Sequence, residues 1–389
     1  MTAGCRWSTS RRCRRPSPSA TCPSFPKAEP RTSASGIYAC EAELGAVASI
    51  PYQANGDTVT EQPLVGIASM GGTIVMMHDE GPGLVPTLNS ADMVESIAEL
   101  RGRVAVTGTV ISSVGSPSVR FEDVQRAFAW ARQTVADGAA GVVVTHGTDT
   151  LEETAFLLGL WWDRPEPLVV TGAMRSPEES GADGPANLLA AVLTAVAPQS
   201  RGRGVLVVMN DEVFAADSVL KTRTFGVDAF ASTLAPLGRL CELEVEYTMR
   251  PDAERPEPLP VPTGTAWTPT VATPLGEEGR LVDALLDAGV NGLVLEGVGA
   301  GHVPEGMVGS VERAASKVPV VMASRTRRGR TGRVTYGYAG AEIDLIQRGV
   351  LMAGRLTATQ SRLLLWSLLA SGLGADRGRI AAEFARRGR

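Results

Sequence analysis

Three polar runs hold the residues able to do chemistry, and each directly follows an apolar run. The first is Ser69-Met70-Gly71-Gly72-Thr73-Ile74. Paired glycines let the backbone turn sharply and let a ligand approach bare amide N–H groups. A hydroxyl beside such amides can act as a nucleophile whose oxyanion they stabilise; the plainer alternative is a tight turn with Thr73 as a helix cap. The second run is Thr145-His146-Gly147-Thr148-Asp149-Thr150. Thr150 with Glu153 reads as a capping box, which leaves Thr148 and Asp149 without a structural task. Asp149 suits a helix dipole, and it also suits binding an ammonium group or orienting a base. His146 is one of three histidines, and a lone histidine is more often packed than catalytic. The third run, Met209-Asn210-Asp211-Glu212, precedes Lys221-Thr222. Lysine occurs only three times, at Lys27, Lys221 and Lys317, in a chain rich in arginine. A retained lysine suggests an amine that must lose a proton, against the alternative of a solvated surface residue.

These runs need a frame. Apolar, β-rich segments recur at 64–68, 141–145, 168–171, 205–209, 293–295 and 318–322, each followed by a helical pattern. Near-continuous apolar strands separated by helices predict a parallel sheet covered on both faces, with ligands at the carboxyl ends of the strands. Helix starts are expected at Thr150, at Asp183-Gly184-Pro185 and at Thr357 with Gln360. Seven prolines lie between Arg250 and Pro274. The expected class is α/β: a larger N-terminal doubly wound, mainly parallel sheet domain at 62–250, a Pro-rich linker at 251–274 and a smaller C-terminal α/β domain at 275–389.

Composition narrows the function. A net charge of −5 and 5% aromatic residues argue against nucleic-acid binding. No apolar run reaches the length of about 18 residues that a membrane-spanning helix needs. The first forty residues differ: seven Lys/Arg against one acid, no Leu or Val, and four of the five cysteines. Residues 1–60 are therefore expected to be a disordered or non-native extension, with translation beginning near Val59. Cys241 alone follows, consistent with a reducing cytoplasm.

The motifs together resemble the bacterial-type L-asparaginases. The resemblance rests on Gly71-Gly72-Thr73-Ile74, His146-Gly147-Thr148-Asp149-Thr150, Thr171-Gly172-Ala173-Met174-Arg175, Asp183-Gly184-Pro185 with Asn187-Leu188, and Met209-Asn210-Asp211-Glu212 with Lys221-Thr222, in the family's order. It spans roughly 62–370 and implies an amidohydrolase that splits L-asparagine to L-aspartate and ammonia, with an L-glutaminase side activity. By resemblance, Thr73 is the nucleophile of an acyl-enzyme, and Thr148, Asp149 and Lys221 form the second catalytic group. The same resemblance assigns Gly72, Ser116, Pro117, Thr148, Asp149 and Ala173 to substrate binding. It gives Glu342 as the acid that a neighbouring subunit contributes. It also implies self-association to a homodimer or homotetramer and no metal or organic cofactor; the lone Cys241 is the ground for expecting a cytoplasmic location.

Three positions depart from the family pattern. Met70 replaces a threonine, Pro117 replaces a glutamine, and 75–87 lacks the lid tyrosine, offering Met76, Met77, His78, Asp79 and Glu80. Two other readings share these motifs. One is the glutaminase-like subunit of a tRNA-dependent amidotransferase, which would need an ordered N-terminal domain. The other is an amino-acid-binding homologue that does not hydrolyse.

Overall fold

The computed structural model describes residues 62–78, 84–86, 97–250 and 255–389; the extension 1–60, Asp79 and Glu80 lie outside the described residues. Strand β1 (Leu64–Ser69) leads through the antiparallel pair β2 (Met76–His78) and β3 (Leu84–Pro86) to β4 (Ala105–Val110) and helix α1 (Phe121–Ala136). Then β5 (Gly141–Thr145), α2 (Leu151–Trp161), β6 (Leu168–Thr171), α3 (Gly184–Val196) and β7 (Val205–Met209) alternate. Short strands follow: β8 (Glu212–Ala215), β9 (Val219–Lys221), β10 (Phe230–Ser232), β11 (Gly238–Cys241) and β12 (Glu244–Tyr247). The smaller domain contains β13 (Thr270–Ala272), α4 (Arg280–Asp287), β14 (Leu293–Gly297), α5 (Val308–Lys317), β15 (Val320–Ser324), α6 (Glu342–Gln347), β16 (Leu351–Met352), α7 (Ala358–Ala370) and α8 (Arg377–Arg387).

The large sheet is ordered β12-β11-β8-β7-β6-β5-β1-β4. From β4 to β7 the strands are parallel; β8, β11 and β12 extend the sheet antiparallel. The chain leaves β1 toward β4 on one side and returns through α1 to β5 on the other, continuing to β6 and β7. The carboxyl ends of β1 and β5 thus flank a topological switch point, where open sheets of this kind leave a crevice. The small domain is a parallel four-stranded sheet, β13-β14-β15-β16.

Burial explains why the strands read so clearly: all of β5, β6 and β7 is buried. Helix α2 is apolar around most of its circumference because it packs on two sides. Its Leu157 and Trp161 belong to one core with Leu364 and Trp366 of α7, so the two domains share apolar packing. The rings of Phe121 and Trp366 stack at 3.7 Å, and Trp161 Nε1 donates to Ser367 Oγ at 3.0 Å.

Three local expectations change in detail. The described part of the Pro-rich stretch is strapped down: the Leu259 amide donates to Leu160 O at 2.7 Å, and Gln125 Nε2 donates to Pro262 O at 2.8 Å. Its end, β13, forms an edge of the small sheet. Prolines remove donors but keep carbonyls, so such a segment can still be held by its neighbours. The capping box at Thr357 and Gln360 is present. Thr150 and Asp183 precede their helices without capping them through side chains, because each side chain has another partner. Thr150 Oγ1 donates to Ser116 O at 2.8 Å, and Asp183 accepts from the amides of Met174 and Arg175.

Candidate active site

The loops after β1 and β5 touch backbone to backbone. Gly72 has φ of 92°, and a Cβ built on it would lie 2.5 Å from Gly147 Cα. A Cβ on Gly147 would in turn lie 2.7 Å from Ser116 Cβ, so three loops converge at a point with no room for a side chain on either glycine. Thr73 follows as the first residue of a single 3-10 turn, Thr73–Val75, and is half-buried. The paired glycines therefore serve close approach, and they bring Thr73 to the mouth of the switch point.

Lys221 reaches the same mouth from β9. Its Nζ donates to Thr148 Oγ1 at 2.9 Å and to Asp149 Oδ1 at 2.7 Å. The Lys221 side chain is 15% exposed whereas that of Asp149 is 61% exposed, so the lysine is not a solvated surface residue. A pair with one such exposed partner adds little to stability. Its significance is geometric: an amine held between a hydroxyl and a carboxylate can exchange a proton with the hydroxyl. Thr148 itself is buried.

Ser116 begins a 3-10 turn, Ser116–Ser118, with Pro117 exposed as its second residue. The Asp149 amide donates to Ser116 Oγ at 3.2 Å, which leaves the serine hydroxyl proton available to a ligand. Ala173, fully buried after β6, packs close to Ile74 and Gly184. Behind it, Asn187 Nδ2 donates to Gly172 O at 3.0 Å and to Asp183 Oδ2 at 3.0 Å, and Asn187 Oδ1 accepts from the Asn210 amide at 2.8 Å. The third polar run is thus a support: Asn210 and Asp211, with φ of 52° and 61°, form the tight turn joining β7 to β8.

His146 is the packed histidine its isolation suggested. It is fully buried, with Nδ1 2.8 Å from Gly147 O and Nε2 2.9 Å from Thr154 Oγ1. A carbonyl only accepts, so Nδ1 carries the proton and Thr154 donates to Nε2. Burial lowers the pKa to about 4, against a smaller raising effect of the Gly147 carbonyl, and keeps the ring neutral.

The loops that carry Gly72 and Thr73, Ser116, Thr148 and Asp149, and Gly172 and Ala173 converge, and Lys221 meets them through Thr148 and Asp149. Glu342 stands apart, at the start of α6 and 0% exposed. It accepts from the amides of Thr335 and Tyr336 at 2.8 Å each and lies 2.9 Å from His302 Nε2, while His302 Nδ1 is 2.9 Å from the Tyr338 hydroxyl. Burial alone would raise the carboxyl pKa; the Tyr336 and Thr335 amides and His302 outweigh it and hold the group below its ordinary value. The expected acid is therefore sealed inside its own domain and reaches the surface through His302 and the half-exposed Tyr338.

Sequence reasoning missed this chain of groups, although His302 is one of only three histidines. It also missed Glu152, whose carboxylate accepts from the Lys221 amide. The signal there was a pair of acids, Glu152 and Glu153, opening a helix that is otherwise almost wholly apolar.

Known proteins carry the same arrangement of domains. The family model described as Asparaginase, N-terminal, matches residues 64–253, and the Glutaminase/Asparaginase C-terminal domain matches 271–384. A probable L-asparaginase of Deinococcus radiodurans is 38% identical over 327 residues, 83% of this chain and 97% of that protein. L-asparaginase 2 of Escherichia coli is 33% identical over 317 residues, 78% of this chain and 88% of its own length. A crystal structure of a probable cytoplasmic L-asparaginase from Campylobacter jejuni superposes with a TM-score of 0.74 at 26% identity, covering 83% of this chain and 99% of that one. With both domains matched by the family models and relatives 38% and 33% identical over most of the chain, the chain belongs to the bacterial-type L-asparaginase family.

Proposed function

We propose that the chain hydrolyses the side-chain amide of L-asparagine to L-aspartate and ammonia through an acyl-enzyme on Thr73, with L-glutamine as a slower substrate. The observation that carries this reading is the Lys221 amine, 2.9 Å from Thr148 Oγ1 and 2.7 Å from Asp149 Oδ1, both on the loop whose Gly147 abuts the Gly72-Thr73 turn. In the first half-reaction Thr73 Oγ bonds to the amide carbon and its proton passes to the departing nitrogen, which leaves as ammonia. In the second, water adds to the ester carbon, the bond from that carbon to Thr73 Oγ breaks, and the proton taken from the water returns to Thr73 Oγ. Thr148 and Lys221 act as the hydroxyl–amine pair that moves the water's proton, and the Thr148 amide stabilises the oxyanion.

Substrate placement follows from charge. Ser116 Oγ, already accepting from Asp149, donates to the α-carboxylate, and the exposed Asp149 carboxylate binds the α-ammonium group. Gly72 and Ala173 shape the floor, and Pro117 lines the rim without a donor of its own. The reading includes self-association to a homodimer or homotetramer, with Glu342 acting on a second copy's substrate through His302 and Tyr338, and a cytoplasmic location.

The test is ammonia release by the purified full chain on L-asparagine and L-glutamine in parallel, with Thr73→Ala as control. Release from asparagine that disappears in the variant is the expected result. No release from either amide by folded wild-type protein would overturn it.

A further inference from the structure

We propose that Glu152 is a positioning residue for Lys221: by accepting the Lys221 main-chain N–H, its carboxylate sets where the amine meets Thr148 and Asp149. The inference rests on the amidohydrolase reading and adds a residue to it.

Lys221 lies 72 and 73 residues from Asp149 and Thr148 in the chain, so only tertiary contacts bring them together. Its strand, β9, pairs with β10 alone, and that two-stranded ribbon shares no ladder with the eight-stranded sheet among the described residues. The sheet that fixes the β5 loop therefore does not fix the height of Lys221 above it. Glu152 supplies a direct tie, because it stands in the first turn of α2, three residues beyond Asp149. Lys221 is thus held to one short segment at both ends, by its amide to Glu152 and by its amine to Thr148 and Asp149.

The surroundings fit a carboxylate kept for this task. Glu152 is half-buried, and burial raises its pKa above the ordinary value; Glu153 adds to the rise, while the Lys221 amide, Arg327 and the Lys221 charge oppose it. Arg362 faces Glu153 at 3.9 Å. A helix-surface glutamate without a partner would gain nothing from partial burial.

The experiment compares Glu152→Ala, Glu152→Asp and Glu152→Gln in the full chain. Glutamine keeps an acceptor at the same reach, whereas aspartate keeps the charge but is one methylene short. Misplacing a catalytic group by about 1 Å costs on the order of 100-fold, so kcat should fall by about that factor in the alanine and aspartate variants with KM little changed. The glutamine variant should stay within about threefold of wild type, since its hydrogen bond survives.

A second readout does not depend on turnover. The chain has only three lysines, so acetylation of Lys221 can be followed by peptide mass spectrometry with Lys317 as internal reference. Lys221 should label faster in the alanine and aspartate variants and at the wild-type rate in glutamine. Equal loss of kcat in all three variants, or unchanged labelling in alanine and aspartate, would overturn the proposal. If wild type releases no ammonia, the amidohydrolase reading fails, and labelling still decides the tether. An alanine variant that does not fold leaves the aspartate–glutamine comparison to decide.

Discussion

Adding one carbon at Gly72 tests the crevice geometry directly. Two penalties meet there. The φ of 92° belongs to the left-handed side that L-residues avoid, at about 1–2 kcal/mol. The new Cβ would also lie 2.5 Å from Gly147 Cα and 2.7 Å from His146 C. Both are backbone atoms, so no rotamer change relieves the overlap, and overpacking of this kind costs about 1–3 kcal/mol. Gly72→Ala should therefore lose about 2–5 kcal/mol. Gly138 supplies the internal control: its φ is 102°, yet a Cβ there meets nothing within 4 Å. Gly138→Ala should show the backbone penalty alone. Urea unfolding followed by tryptophan fluorescence gives both values, and their difference isolates the contact between the loops. Any relief of the clash moves the Thr73 loop away from the Thr148 loop, so kcat should fall by roughly 100-fold in Gly72→Ala. Equal destabilisation of the two variants, with kcat unchanged at Gly72, would refute the close approach.

Two further outcomes follow from buried polar groups. His146 titrates at about 4 when folded and near 6.5 when unfolded, so the unfolded chain binds more protons between these values. Stability should then fall as pH drops from about 6.5 to about 4, by roughly 3 kcal/mol in all, and His146→Gln should remove that part of the pH dependence in urea titrations. Asp183→Ala would strand the amides of Met174 and Arg175 and the Asn187 side chain. A loss of about 3 kcal/mol is expected, with hydrogen exchange at Met174 and Arg175 accelerated; protection equal to wild type would count against it.

How far the sequence disclosed all this depended on the range of each interaction. Strands β5, β6 and β7 were legible because both faces are covered and every residue is apolar enough to show it. Strand β4 escaped notice, for it is an edge strand with exposed Thr and Gly positions and no continuous apolar run. The antiparallel extension from β8 to β12 was hidden by strands of three or four residues joined by tight turns. Asn210 and Asp211 even passed for a functional run, because turn chemistry and site chemistry use the same residue types. At the site, motif order placed Thr73, Thr148 and Asp149 at strand ends. The hold of Glu152 on Lys221, and the enclosure of Glu342 by His302, Thr335 and Tyr336, depend on segments that periodicity treats separately.

The shared core of α2 and α7 has a consequence for how the molecule comes apart. The first residues of α2 continue directly from Thr148 and Asp149, while its last turns are clasped by Leu364, Trp366 and Ser367 of the small domain. The small domain thus works as a splint for the reactive loop. Cutting the chain after residue 250 would remove the splint and expose the Trp161 face of α2 to water. The halves should then unfold as one cooperative unit, with the loop melting together with α7 rather than before it. Exchanging the small domain for that of a relative would succeed only where the replacement presents the same aromatic clasp.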